Sequence, residues 1–300
     1  MARCDLCGNE AGWLIRQHDA CREALQPMVD LIAEAAAPAT PPEDLKQQID
    51  EVAIRYAVAP DCLSGLLATT WDTVADDTLQ GQLISEEQEA ALLKLRDDLG
   101  LPGDRSEWNG ARGRVRRTGI IRELLQGTLP EQMGSPADLP FDLLPSEAFI
   151  WKFDDVDYYE RPSAVRYRDG RATADEVPSA GILSREELRE RRAPVIDYLP
   201  TDQGIAVMTD RQLYFAGSKQ IFRIPFMAVA DFTPFNDGLA LQCDGQAATL
   251  YFLTDDGWFI YHLAVGLAAR QSATESTDAA SALTQGLSRR VRAPLVVTPR

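Results

Sequence analysis

Four side chains near the start of the chain, Cys4, Cys7, His18 and Cys21, have the types and spacing to hold a metal ion. Cys4-x2-Cys7 followed by Gly8 makes a tight turn from which two thiolates converge, with the glycine relieving the backbone. After ten intervening residues, His18-x2-Cys21 falls where Asp19 can begin a helix, so its two donors lie about one turn apart. Between the pairs, Gly12, Trp13, Leu14, Ile15 and Arg16 have the makings of a small hairpin. A knuckle, a hairpin and a helix start form a treble-clef-like arrangement. Three thiolates and one imidazole are a closed tetrahedral set, suited to structural zinc rather than iron and leaving no open position for a substrate. A unit spanning 1–37 is too small to be held by burial alone, and such a metal would staple it.

Material for catalysis is scarce. Of the two histidines, His18 is committed to the metal, and His262 sits among aromatic residues as a core or rim side chain. A Ser/His/Asp or Cys/His constellation therefore has almost nothing to draw on, and no enzyme is expected. Cys62 and Cys243 read as isolated buried thiols. Asp154, Asp155 and Asp157 could hold a divalent cation, but they read first as a solvated turn between two strands. Residues 76–87 have the length of an EF-hand loop, with Gly81 sixth and Glu87 twelfth. Thr78 and Gln80 stand where Asp or Asn usually ligates, so the segment reads as a helix–turn–helix corner. No glycine-rich phosphate loop is present. Arg112, Arg114, Arg116 and Arg117, with Arg105 and Arg122 nearby, form the one dense basic patch. Against a net charge of −16 they read first as a solvated helix face or as ion pairs to the acidic remainder. Contact with phosphates of nucleic acid or lipid headgroups is the alternative.

The elements that position these residues follow from pattern. A chain of 300 residues with 45% hydrophobic content can build two or three cores. No stretch reaches the roughly 18 apolar residues of a membrane span. The first residues lack the apolar core of a secretory signal, so a cytoplasmic protein with reduced thiols is expected. Pro38, Pro41 and Pro42 mark a linker, and 43–127 reads as helical. Leu45, Ile49, Val52 and Tyr56 share one helix face, and Leu63, Leu66, Leu67, Thr70, Trp71 and Val74 another, with Asp61 as N-cap. Ser85 and Gln88 make a capping box for a helix facing inward through Leu92, Leu95 and Leu99 and ending at Gly100. A last helix runs through Ile120, Ile121, Leu124 and Leu125 to Gly127, while Pro27 should interrupt the helix that begins at Asp19. Beyond a Pro- and Gly-rich boundary at 128–142 the period becomes two. A strand pair is expected at 148–153 and 156–160, then a polar insert at 161–203. Six strands follow at 205–209, 212–216, 220–224, 228–232, 239–243 and 248–253. Asp255, Asp256 and Gly257 lead into an apolar helix containing Trp258, Phe259, Tyr261, His262, Leu263 and Leu267. Residues 271–300 are rich in Ser, Thr and Ala and read as disordered.

The stretch 204–217, with Arg223-Ile-Pro225, Asn236-Asp-Gly238 and Gly257-Trp-Phe259, resembles a pleckstrin-homology-like (GRAM-like) domain. Together with Cys4-x2-Cys7-Gly8 and the helical middle, the chain resembles a bacterial family that begins with a zinc motif and ends in such a domain. Residues 83–87 loosely resemble helices of tellurite-resistance-type domains. The resemblance implies a seven-stranded bent barrel capped by a helix, no catalytic residues, and binding of peptides, proteins or lipids. The expected architecture is α+β and multi-domain: a zinc-binding unit at 1–37, a helical domain at 43–127, a pleckstrin-homology-like domain at 141–270 and a disordered tail at 271–300. The expected function is that of an intracellular interaction or adaptor protein with a protein or peptide partner, held by strand addition to an open sheet edge. A lipid site would have only Arg211 and Lys219 at the strand mouths, which is few. Nucleic-acid binding through the zinc unit and the Arg112–Arg117 patch is the rival.

Overall fold

The computed structural model describes residues 2–12, 16–37, 44–79, 83–101, 110–130, 139–145, 147–162, 167–168, 171–172, 182–195 and 198–290. It divides into two compact units, Met1–Arg122 and Glu123–Arg300.

In the first unit, β1 (Ala2–Arg3) pairs antiparallel with β2 (Glu10–Gly12). Five helices follow: α1 (Asp19–Ala35), α2 (Leu45–Arg55), α3 (Pro60–Thr78), α4 (Glu86–Asp98) and α5 (Gly110–Leu125), whose last three residues fall in the second unit. The expected 1–37 and 43–127 sections share one core. Cys4, Cys7 and Cys21 belong to the same buried cluster as Met28, Ile32, Leu66, Trp71 and Leu92. Trp71 anchors that core, its indole N–H donating to the Leu92 carbonyl at 3.0 Å and its ring lying 5.1 Å from the Arg96 guanidinium carbon. The capping box at Ser85 forms in both directions: the Gln88 N–H reaches the Ser85 hydroxyl, and the Ser85 N–H reaches the Gln88 side chain. Gly100, just past α4, is left-handed at φ 61°, as a helix stop requires.

Two helix boundaries depart from expectation. α1 runs unbroken through Pro27, with Met28 and Ile32 fully buried. Proline there removes the N–H that would meet the carbonyl of Glu23, an exposed residue whose carbonyl water can satisfy. α3 starts two residues earlier than an Asp61 N-cap would place it: Ala59 is the N-cap, Pro60 takes the first helical position, and Asp61 lies inside the first turn.

The second unit contains β3 (Phe149–Pro162), a two-residue pair β4 (Tyr167–Arg168) and β5 (Arg171–Ala172), and a short helix α6 (Arg185–Leu188). Then come β6 (Asp202–Thr209), β7 (Gln212–Gly217), β8 (Ile221–Pro225), β9 (Val229–Phe235), β10 (Gly238–Cys243), β11 (Ala248–Leu253) and α7 (Gly257–Arg290). Seven strands form one curled antiparallel half-barrel in the order β8-β7-β6-β3-β11-β10-β9. The first strand of the sheet is thus central, flanked by the second and the last, and β8 and β9 are its edges. The expected strand pair at 148–160 is one long strand instead. A bulge between Phe153 and Val156 bends it, with Asp155 left-handed at φ 54°, a conformation aspartate tolerates better than most residues.

Tyr158, Phe215, Phe222 and Phe252 pack as one aromatic cluster, with neighbouring ring centroids 5.1–6.4 Å apart. The first turn of α7 closes on the sheet through Phe259, set edge-on to Trp151 at 4.8 Å. The end of the polar insert is clasped to that same turn. The Leu183 N–H donates to His262 Nε2 at 3.1 Å, Trp258 donates to the Leu183 carbonyl at 2.7 Å, and Arg185 pairs with Asp256 at 2.9 Å. The backbone of α7 continues to Arg290, so 271–290 is helical rather than disordered. Once buried turns nucleate a helix, propagation costs little, and alanine favours it. Residues 291–300 lie outside the described residues. Among the described residues, no helix is long and apolar enough to cross a membrane.

Candidate metal centre

The knuckle is built by local backbone bonds. The Cys4 N–H donates to the Asn9 carbonyl at 2.7 Å, the Gly8 N–H donates to the Cys4 carbonyl at 2.9 Å, and Gly8 takes φ 76°. The Asp5 N–H reaches the Arg16 carbonyl at 2.8 Å, bringing the chain back beside the knuckle. Of the expected hairpin, 13–15 lie outside the described residues. His18 is the N-cap of α1 with extended backbone, and Cys21 points inward from its first turn, 1% exposed.

α3 supports the knuckle from behind. Thr69 donates to the Leu6 carbonyl at 2.9 Å, and the Asn9 amide donates to the Asp61 carbonyl at 2.8 Å. Residues 61, 65 and 69, spaced by four, form one helix stripe facing this loop.

The four expected donors converge. One atom from each of Cys4, Cys7, His18 and Cys21 lies within 4.8 Å of all the others. His18 Nδ1 is 3.4 Å from the Cys7 sulfur and 3.7 Å from the Cys21 sulfur. A tetrahedral zinc with ordinary Zn–S and Zn–N bonds has donor–donor edges of about 3.5–3.8 Å, so these spacings fit. His18 Nε2 lies 3.0 Å from the Glu10 carbonyl. A carbonyl only accepts, so Nε2 carries the hydrogen and Nδ1 turns its lone pair to the thiols, as outer-shell bonds arrange metal-binding histidines.

Electrostatics point the same way. Burial pushes the Cys4 thiol up, but N–H groups of His18, Leu6 and Cys7 donating to its sulfur outweigh that and hold it at about 7. Burial pushes Cys7 up to about 11. Cys21 is raised still further, by burial and then by its hydrogen bond to Cys7 and the charges of Cys7, Cys4 and Cys62. Sulfurs this close oppose one another's ionisation, and a bound cation removes that opposition. The donor set, its spacing and its outer bonds all fit a metal ion.

Cys62 also comes to this site, although it reads from sequence as an isolated thiol. It sits in the first turn of α3, with its sulfur 3.9 Å from His18 Nδ1 and 3.6 Å from the Asn9 amide nitrogen. Spacing could not reveal it, because the rest of the cluster is complete by Cys21. A cavity of about 560 Å³ opens beside His18, Cys21 and Cys62.

The other candidates fall elsewhere. Arg114 forks onto Asp76 at 2.6–2.9 Å, Arg122 pairs with Glu89 at 2.7 Å, and Arg117 is buried, while Arg112 and Arg116 are half-buried. Arg105 and Gly81 lie outside the described residues. Asp76 belongs to α3 and Glu87 to α4, so the ends of the EF-hand-like span are helical. Asp154, Asp155 and Asp157 line a 340 Å³ cavity at the bulge, with Lys152 on Asp154 at 2.9 Å and Gln203 on Asp157. Lys219 donates to the Thr201 carbonyl at 2.7 Å, and Arg211 lies 3.7 Å from Asp210. Cys243 is buried, which pushes its thiol up. His262 is buried with both ring nitrogens engaged.

No protein-family model matches this chain, and no curated protein matches it in sequence.

Proposed function

We propose that this chain is a non-enzymatic intracellular interaction protein: a structural zinc centre braces its N-terminal unit, and a pleckstrin-homology-like sheet in its second unit binds a protein or peptide. The observation that carries this reading is the strand order. Counted within the sheet, the strands run 4-3-2-1-7-6-5, antiparallel throughout, with a helix following the last strand against β9 and β10. A bent seven-stranded sheet followed by a helix is what the sequence resemblance implies, and this supports the reading. Among the described residues the strand order leaves the outer sides of β8 and β9 without a strand partner, so an extended peptide can add there through main-chain hydrogen bonds. Zinc suits a mixed thiolate and imidazole set, and with every tetrahedral position filled its role is structural. Both imidazoles hold structural bonds, which favours binding over catalysis.

The test is to purify the tagged chain from its native host and then measure amide hydrogen exchange with the recovered partner added. Protection gathered on β8 or β9 is the expected outcome. Protection confined to the first unit overturns edge binding, and recovery of nuclease-sensitive nucleic acid alone overturns the protein-partner reading.

A further inference from the structure

We propose that Cys62 is a fifth donor of the metal centre, able to take the ion in place of His18. The proposal rests on reading the centre as a metal site and adds a ligand exchange to it.

Three sulfurs surround His18 Nδ1: Cys7 at 3.4 Å, Cys21 at 3.7 Å and Cys62 at 3.9 Å. The Cys62 separation exceeds that of Cys21, an expected ligand, by no more than Cys21 exceeds Cys7. Cys62 is 6% exposed and Cys21 1%, whereas His18 is only half-buried. The Asn9 amide donates to the Cys62 sulfur at 3.6 Å, much as the His18 backbone N–H donates to the Cys4 sulfur at 3.4 Å. Such N–H···S contacts orient thiolates around metals. Asn9 also holds the Asp61 carbonyl, so the loop that carries two ligands grips the turn that carries Cys62.

A four-coordinate ion offered five donors leaves one over. His18 is the donor with room to leave, because it is half-buried and lines the 560 Å³ cavity, with its Nε2 held by the Glu10 carbonyl at 3.0 Å. In the exchange the metal–nitrogen bond breaks and a metal–sulfur bond to Cys62 forms. The Cys62 thiol proton leaves to solvent through the cavity, and no oxidant or reductant is needed. The product is a four-thiolate centre carrying one more negative charge, with a free imidazole at the cavity wall.

Cobalt(II) replaces zinc as the probe, because its thiolate charge-transfer absorbance grows with the number of sulfurs bound. The full chain is compared with His18→Ala, Cys62→Ser and the double variant. The wild type and Cys62→Ser should show tetrahedral cobalt of three-thiolate intensity. His18→Ala should stay tetrahedral with charge-transfer intensity about a third higher, and the double variant should bind at least about tenfold more weakly than His18→Ala. Zinc-edge X-ray absorption of His18→Ala, showing four sulfurs, reads the same contrast independently. If His18→Ala folds poorly, His18→Gln takes its place. A His18 variant as weak as the double variant, with no gain in thiolate intensity, overturns the exchange while leaving the metal centre standing. Absence of any thiolate band in the wild type overturns the metal centre itself, and the exchange with it.

Discussion

A Cβ atom at Gly65 would sit 2.1 Å from the carbonyl oxygen of Cys7, so α3 presses its backbone directly onto the metal-binding knuckle. No side chain fits between the two, and the contact is with backbone, which cannot swing aside. This approach ties the Cys4–Cys7 loop to the helix that carries Cys62.

Gly65→Ala should therefore destabilise the chain, although in an open helix the same change gains about 1 kcal/mol. The expected result is a lower melting temperature and a metal affinity reduced by about tenfold or more. Gly266→Ala is the control. The nearest atoms a Cβ there would meet belong to the Leu124 side chain, at 3.4 Å, so the melting temperature should hold or rise. Equal behaviour of the two variants would refute the steric argument.

Zinc should stabilise the folded chain by mass action, by about 2.7 kcal/mol at a free concentration one hundred times the dissociation constant. Thermal melts with added zinc and with a chelator check this. Replacing Cys4 and Cys7 together by serine leaves only three of the donors and should abolish the response to both, and a wild type indifferent to zinc would remove the centre from the account.

His262 predicts a pH dependence. Burial, with the nearby Arg185 charge, lowers its pKa below the ordinary 6.5, against the opposing influence of the Trp258 carbonyl and Asp256. The unfolded chain then takes up the proton first as pH falls. The contribution is complete above 6.5 and is lost between 6.5 and the lower folded value. His262→Phe should flatten that slope and cost about 1–3 kcal/mol at pH 7.5 by orphaning the Leu183 N–H. Melts at pH 7.5 and 5 in both proteins decide it.

Asp202 should behave in the opposite sense. Burial pushes its carboxyl up, but N–H donors of Lys219, Gln203 and Gln220 and the Ser218 hydroxyl outweigh this and hold it at about 2. Its stabilisation is present above the ordinary 3.8 and disappears as pH falls towards 2. Asp202→Asn sets an amide against those donors, so it should melt below wild type at pH 7. The gap should narrow between pH 4 and pH 2, and a constant gap would show that the carboxylate charge is not what matters.

Much of this was legible in residue order because the causes are local. The Ser85–Gln88 box, the stop at Gly100 and the short apolar runs of β6, β7, β10 and β11 between polar turns each depend on neighbours within a few positions. The misreadings share one origin. Pro27 and the Ser/Thr/Ala run after 270 were weighed by propensity, and tertiary packing of the buried turns beside them outweighed it. Asp154 and Asp155 looked like a turn, but pairing of β3 to β6 and β11 on either side makes them a bulge in one strand.

The sequence by itself determined the four-donor set, because two short-range pairs, Cys4-x2-Cys7 and His18-x2-Cys21, already carry the geometry of a metal ion in their spacing. It also located the six short strands β6 to β11, set off by tight polar turns. Only the tertiary structure decided that Cys62 comes beside His18, that the first 37 residues share a core with the helices, and that Arg114 is spent on Asp76. Each of these joins residues more than 30 positions apart, and such contacts arise from the packing of whole elements, which local pattern does not encode.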